Sequence, residues 1–124
     1  MKQQTLTKSE MQVMNILWDI DRGACVNDIL AQYPDPKPAY TTIATFLKIL
    51  TQKGFVEHKK GSGKLLIYSP LITREKYRSQ IMEEVKDDFF GNSFKSMFSF
   101  FVREEHLTAE DIQELIEQIK EEKL

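Results

Sequence analysis

A mostly α fold with one small β-hairpin is predicted from three observations on the 124-residue sequence. Apolar residues recur at i, i+3, i+4 and i+7 through most of the chain, the period of helices that bury one face. Two short runs, 55–60 and 64–69, read instead as strands around Gly61-Ser62-Gly63, a flexible turn. Glycine and proline punctuate the gaps, where they stop helices or stiffen connectors.

Taken in order, the first helix is expected to begin at Thr7. Thr7-Lys-Ser-Glu10 has the spacing of a capping box, in which hydroxyl and carboxylate reciprocally satisfy free backbone N–H groups. Met11, Met14, Leu17 and Trp18 follow at helical spacing, and Asp21-Arg22-Gly23 ends the helix, because glycine tolerates the left-handed conformation common there. A short second helix fits 26–32, with Ile29 and Leu30 inward. Pro34, Pro36 and Pro38 then exclude helix. Ile43, Phe46, Leu47 and Leu50 mark a third helix, stopped at Lys53-Gly54. Beyond the hairpin, Tyr77, Ile81 and Val85 step by four along 73–88, and Gly91-Asn92 interrupts. Phe94, Met97, Phe98, Phe101 and Val102 form a further stripe, and Thr108 caps a last helix with Ile112, Leu115, Ile116 and Ile119 on one face. Helix, helix, helix and hairpin is the order of a winged helix-turn-helix. The predicted organisation is therefore a winged-helix domain over residues 1–71 and a C-terminal helical dimerisation region over 72–124.

The net charge of −2 conceals a division along the chain. Residues 1–78 carry 12 Lys+Arg against 7 Asp+Glu, whereas residues 79–124 carry 5 against 12. A basic head suits approach to phosphate, and an acidic tail stays away from it. The single cysteine, Cys25, excludes an intramolecular disulfide and is expected as a small buried apolar residue in a reducing cytosol. The opening residues are too polar for a signal peptide, and the longest apolar run, 97–102, falls far short of the roughly 20 residues of a membrane span. A cytoplasmic protein without membrane insertion is expected. His58 and His106 stand alone, and no phosphate-cradling glycine loop or nucleophile with partners is present. No metal, no cofactor and no enzymatic activity are expected.

With Ile43, Phe46, Leu47 and Leu50 inward, the third helix presents Thr41, Thr42, Thr45, Lys48 and Gln52 outward, together with Ile49. Threonine hydroxyls hydrogen-bond base edges or phosphate, and the methyl contacts thymine. The first-turn N–H groups add an anion site. On the wing, His58, Lys59, Lys60 and Lys64 surround the glycine turn, where lysines add affinity for the backbone rather than sequence choice. Double-stranded DNA is the expected partner. Six of the eight phenylalanines fall within 89–102. So short a chain has little second core to bury them, and a homodimer formed through Tyr77, Ile81, Phe94, Met97, Phe98, Phe101, Ile112, Leu115, Ile116 and Ile119 accounts for them.

Over essentially its whole length the chain resembles the penicillinase repressor family and its copper-responsive relatives. The residues that carry the likeness are Thr7-Lys-Ser-Glu-Met-Gln-Val-Met-Asn-Ile-Leu-Trp18, Tyr40-Thr-Thr-Ile43, Leu50 with Lys53-Gly-Phe55, Tyr68-Ser-Pro-Leu71 and Phe101-Val-Arg-Glu-Glu-His-Leu107. The resemblance implies a homodimeric repressor on a dyad-symmetric operator, inactivated in some members when a membrane sensor protease cuts an Asn-Phe bond. Here Phe101 matches that Phe while Phe100 stands in the Asn position, so the candidate cleavage site is Phe100-Phe101. Ala39-Tyr40 replaces the Ser-Pro that often opens the family's recognition helix, and Ala44 and Ile49 replace its arginines. The paired-cysteine tail of the copper-responsive relatives is missing. Two other readings compete: a winged-helix protein–protein adaptor, favoured by the acidic net charge, and a regulator that senses an apolar small molecule among the phenylalanines.

Overall fold

The computed structural model describes residues 5–123. Its elements run α1 (Lys8–Ile20), α2 (Val26–Ala31), α3 (Tyr40–Lys53), β1 (Val56–Lys60), β2 (Leu66–Pro70), α4 (Arg74–Phe89), α5 (Phe94–Glu104) and α6 (Ala109–Lys123). This is the winged-helix order followed by further helices, a mostly α chain with one antiparallel hairpin.

The capping box opens α1 as expected: the Thr7 hydroxyl accepts from Glu10 N at 3.2 Å, and Glu10 Oε1 accepts from Thr7 N at 2.9 Å. The same Glu10 oxygen also accepts from Lys53 Nζ at 2.7 Å, tying the first turn of α1 to the last turn of α3. The left-handed residue at the end of α1 is Asp21 (φ 55°), not Gly23. Gly23 serves a different need. A Cβ there would lie 2.3 Å from Ile67 Cγ2, so only glycine lets the chain pass close to β2. That approach lets Ala24 exchange two backbone hydrogen bonds with Tyr68, at 3.0 and 2.8 Å, adding a bridge to the hairpin that periodicity does not signal.

α3 buries Ile43, Leu47 and Leu50 and ends where Gly54 turns left-handed at φ 85°. Both strands begin slightly later than expected. Val56 pairs with Pro70 and Lys60 with Leu66, and residues 61–65 form the turn, closed by Gly61 N donating to Leu65 O at 2.8 Å. The core joins α1, α2, α3 and the base of the hairpin through Val13, Met14, Leu17, Ile29, Ile43, Leu47, Leu50, Phe55 and Val56.

The chain divides into two compact units, the first ending at Ile81 and the second beginning at Met82. The division lies beyond the expected 71/72 boundary because the start of α4 belongs to the head. Tyr77, expected on the dimerisation face, is 4 % exposed in the head core. Its ring packs edge-on against Phe55 at 5.7 Å, and its hydroxyl accepts from Leu6 N at 2.9 Å. Ile81 packs, partly buried, on the same core. Spacing by four identifies the inward face of α4 but not the body it faces. In the second unit Ser93 caps α5, and a Thr108–Asp111 capping box opens α6. No residue of 82–122 is buried.

Candidate nucleic-acid interface

α3 is an amphipathic helix with its apolar row fixed in the core, so the opposite row is fixed outward by geometry. Thr41, Thr42, Thr45, Lys48 and Gln52 are all exposed, while Phe46 and Ile49 are half-buried at the edges. Thr45 donates its hydroxyl proton to Thr41 O at 2.9 Å. Thus oriented, Thr45 offers a methyl and an acceptor oxygen, the two features that suit a thymine methyl or a base amino group.

The start of α3 carries no side-chain cap. Thr42 N and Ile43 N both donate to Ala39 O, at 3.1 and 3.3 Å, which leaves the N–H groups of Tyr40 and Thr41 pointing off the helix end. Tyr40 itself is 51 % exposed. It was not among the expected site residues, although it opens the Tyr40-Thr-Thr-Ile43 motif and also departs from the family's Ser-Pro pattern. Its position one residue before two outward threonines is the signal that marks it.

Polar contacts hold the chain on either side of α3. Lys37 Nζ, from the proline-rich connector, donates to the carbonyls of Leu30, Ala31 and Tyr33 and so caps α2 where the chain turns towards α3. At the other end, the Lys53–Glu10 pair anchors the last turn. Burial alone would raise the Glu10 carboxyl. The hydrogen bonds from Lys53 and from the Thr7 N–H outweigh burial and hold it below its ordinary value. Tyr68 of β2 is shifted upward, by burial first and by the nearby Tyr40 phenol second, and His58 of β1 meets its ring edge-on at 5.5 Å.

The cations separate into two groups. Lys53, Arg22 and Arg74 pair with Glu10, Asp28 and Asp19. Lys48, Lys59, Lys60 and Lys64 are exposed and, among the described residues, form no ion pair. The structure thus brings the threonines and Lys48 onto one face of α3 and puts the three other lysines on the wing. Cys25 is half-buried beside the start of α2 rather than fully buried as expected.

In the second unit Phe94, Phe98, Phe101, Leu115, Ile116 and Ile119 are exposed, and Met97 and Ile112 are half-buried. Phe100 and Phe101 both lie on the surface of α5. No helix among the described residues is long and apolar enough to cross a membrane.

The order of helices and hairpin, with an uncapped third helix that presents threonines outward, defines a winged-helix head. A family model described as penicillinase repressor matches residues 6–121, and the chain belongs to that family. It is 28 % identical over 111 residues to the methicillin resistance regulatory protein MecI of Staphylococcus aureus (strain N315), covering 89 % of each chain. It is 25 % identical over 119 residues to the penicillinase repressor of Bacillus licheniformis, covering 95 % of this chain and 91 % of that one. The penicillinase repressor of Staphylococcus aureus is 26 % identical over 115 residues, 92 % and 90 % of the two chains. Membership makes the chain a transcriptional repressor.

Proposed function

We propose that this repressor binds a dyad-symmetric operator in double-stranded DNA as a homodimer. The observation that carries the reading is the outward row Thr41, Thr42, Thr45 and Lys48 of α3, exposed because Ile43, Leu47 and Leu50 hold the opposite row in the core. In this reading the row enters the major groove. Lys59, Lys60 and Lys64 of the wing contact the phosphate backbone, adding affinity without sequence information. Phe94, Met97, Phe98, Phe101, Ile112, Leu115, Ile116 and Ile119 join two copies, so that the operator's symmetry mirrors the protein's.

A mobility-shift titration on the duplex upstream of the chain's own gene tests this. Specific retardation is expected, falling steeply with salt, with half-sites spaced near one helical turn of about 10 bp or a multiple of it. Thr45→Ala should alter the preferred sequence. Indifference to every duplex in dilute buffer would leave the adaptor reading in its place.

Inactivation by a sensor protease at Phe100-Phe101 is the accompanying proposal, supported by the exposure of both side chains on α5. Immunoblots of induced cells should show the chain shortened as the operator is released. Release with every copy still intact would exclude cleavage.

A further inference from the structure

We propose that the polar side of α5 is a binding site for a small aromatic anion, a site that stands independently of operator binding. At 100° per residue, Phe94, Met97, Phe98 and Phe101 occupy one side of the helix, and Lys95, Ser99 and Arg103 form an i, i+4, i+8 row on the other. That second row borders a shallow, open depression. Phe90, Lys95, Ser96, Ser99, Phe100 and Arg103 line a pocket of about 420 Å³. The rings of Phe90 and Phe100 lie 5.5 Å apart and make its apolar wall. Two cations and two hydroxyls complete it.

The charges of this pocket run against their surroundings. Residues 79–124 carry 12 acidic side chains against 5 basic ones. Yet neither Lys95 nor Arg103 has an ion-pair partner among the described residues. Elsewhere in the same unit Lys86 pairs with Glu83 at 2.8 Å, so carboxylates are at hand where the geometry allows. Two unpaired cations flanking serine hydroxyls match a carboxylate, sulfonate or phosphate through charge-assisted hydrogen bonds. The adjacent phenylalanine rings match an aromatic body, stacked or edge-on. A neutral apolar molecule leaves the cations without a counter-charge, and inorganic phosphate leaves the rings uncovered. The ligand class that uses every group is an aryl carboxylate or its sulfonate or phosphate equivalent. The opposite side of α5, which carries the apolar stripe, remains available to a second copy while the pocket is filled.

Calorimetric titration of the full chain with 2-naphthoate tests the assignment, with neutral 2-naphthamide as the control of the same shape. The K95Q/R103Q variant keeps the pocket's volume and removes its charge. Expected are sub-millimolar binding of 2-naphthoate, about tenfold weaker binding of the amide, and a loss of about tenfold in 2-naphthoate affinity in the variant. The variant should show the same thermal transition and self-association as the parent. Equal affinity for acid and amide, undiminished binding by the variant, or no heat up to millimolar ligand would each overturn the proposal. So would a variant that self-associates more weakly, since Lys95 and Arg103 would then pair with a second copy. Absence of operator binding by the parent protein would refute the DNA reading and not this one.

Discussion

A threonine capping box in each unit shows how differently the two units use the same local chemistry. Thr7 with Glu10 opens α1, and Thr108 with Asp111 opens α6, each by the same reciprocal pair of hydrogen bonds. In the head, Glu10 is 4 % exposed and also receives Lys53 from the far end of α3. In the tail, the hydrogen bonds of the Thr108–Asp111 box lie on the surface and join no other element. The contrast extends to the apolar side chains. Leu47 and Leu50 of the head are fully buried, while Phe94 is 62 % and Phe89 77 % exposed. Helices of similar local quality therefore end in different states: the head closes its core within one chain, and the tail leaves its apolar side chains exposed.

The largest expected effect tests the head's self-sufficiency. Leu47→Ala should lower the stability of the first unit by about 3 kcal/mol, because a fully buried leucine leaves a cavity. Denaturant melts of head fluorescence, reported by Trp18, should give that loss at every protein concentration.

The tail should behave oppositely. Phe98→Ala and Phe101→Ala should each weaken self-association by about 2 kcal/mol, the scale of a well-packed interface anchor. Sedimentation velocity reads the change directly. The melting temperature of the tail should rise with protein concentration in the parent chain and lose that dependence in the double variant. A concentration-independent tail would break the contrast.

Next in size are the caps. Glu10→Gln should cost about 2 kcal/mol, since it removes the buried charge that strengthens the bonds from Thr7 N and Lys53 and leaves the Lys53 ammonium without its counter-charge. Asp111→Asn, at the exposed box, should cost about 0.5 kcal/mol, the low end for a helix cap. The pH dependence follows from the lowered Glu10 carboxyl. Its contribution is complete above the ordinary carboxylate range and is lost as pH falls through the depressed folded value. Acid titrations of stability should therefore be flatter in Glu10→Gln than in the parent chain. Smallest in free energy, the wing pair Lys60→Ala and Lys64→Ala should reduce the log–log salt slope of operator binding by about 0.9 for each phosphate that is no longer neutralised. Thermal stability should be untouched, as both side chains are exposed.

Much of the architecture was legible because its signals are local. A hydroxyl three residues before a carboxylate, a glycine after the last apolar position and a repeat of three and four residues act through neighbours one turn away. The outward threonines of α3 were legible for the same reason, since a buried row on a helix determines its opposite. Tyr77 was not. Its place in the four-residue repeat of α4 was correct, but the repeat carries no information on whether the ring meets a second copy or, as it does, Phe55 and Leu6 of its own chain.

The sequence alone determined the order of the helices, which side of each is apolar, and that positive charge belongs to the first part of the chain and negative to the rest. Only the tertiary structure decided that Glu10 holds Lys53, 43 residues away, that Tyr77 receives Leu6, 71 residues away, and that Gly23 is required by Ile67 rather than by the end of α1. Helix signals are written within a turn of backbone. The partner of a buried polar group and the clearance beside a strand depend on how distant segments pack, and neither has a period to read.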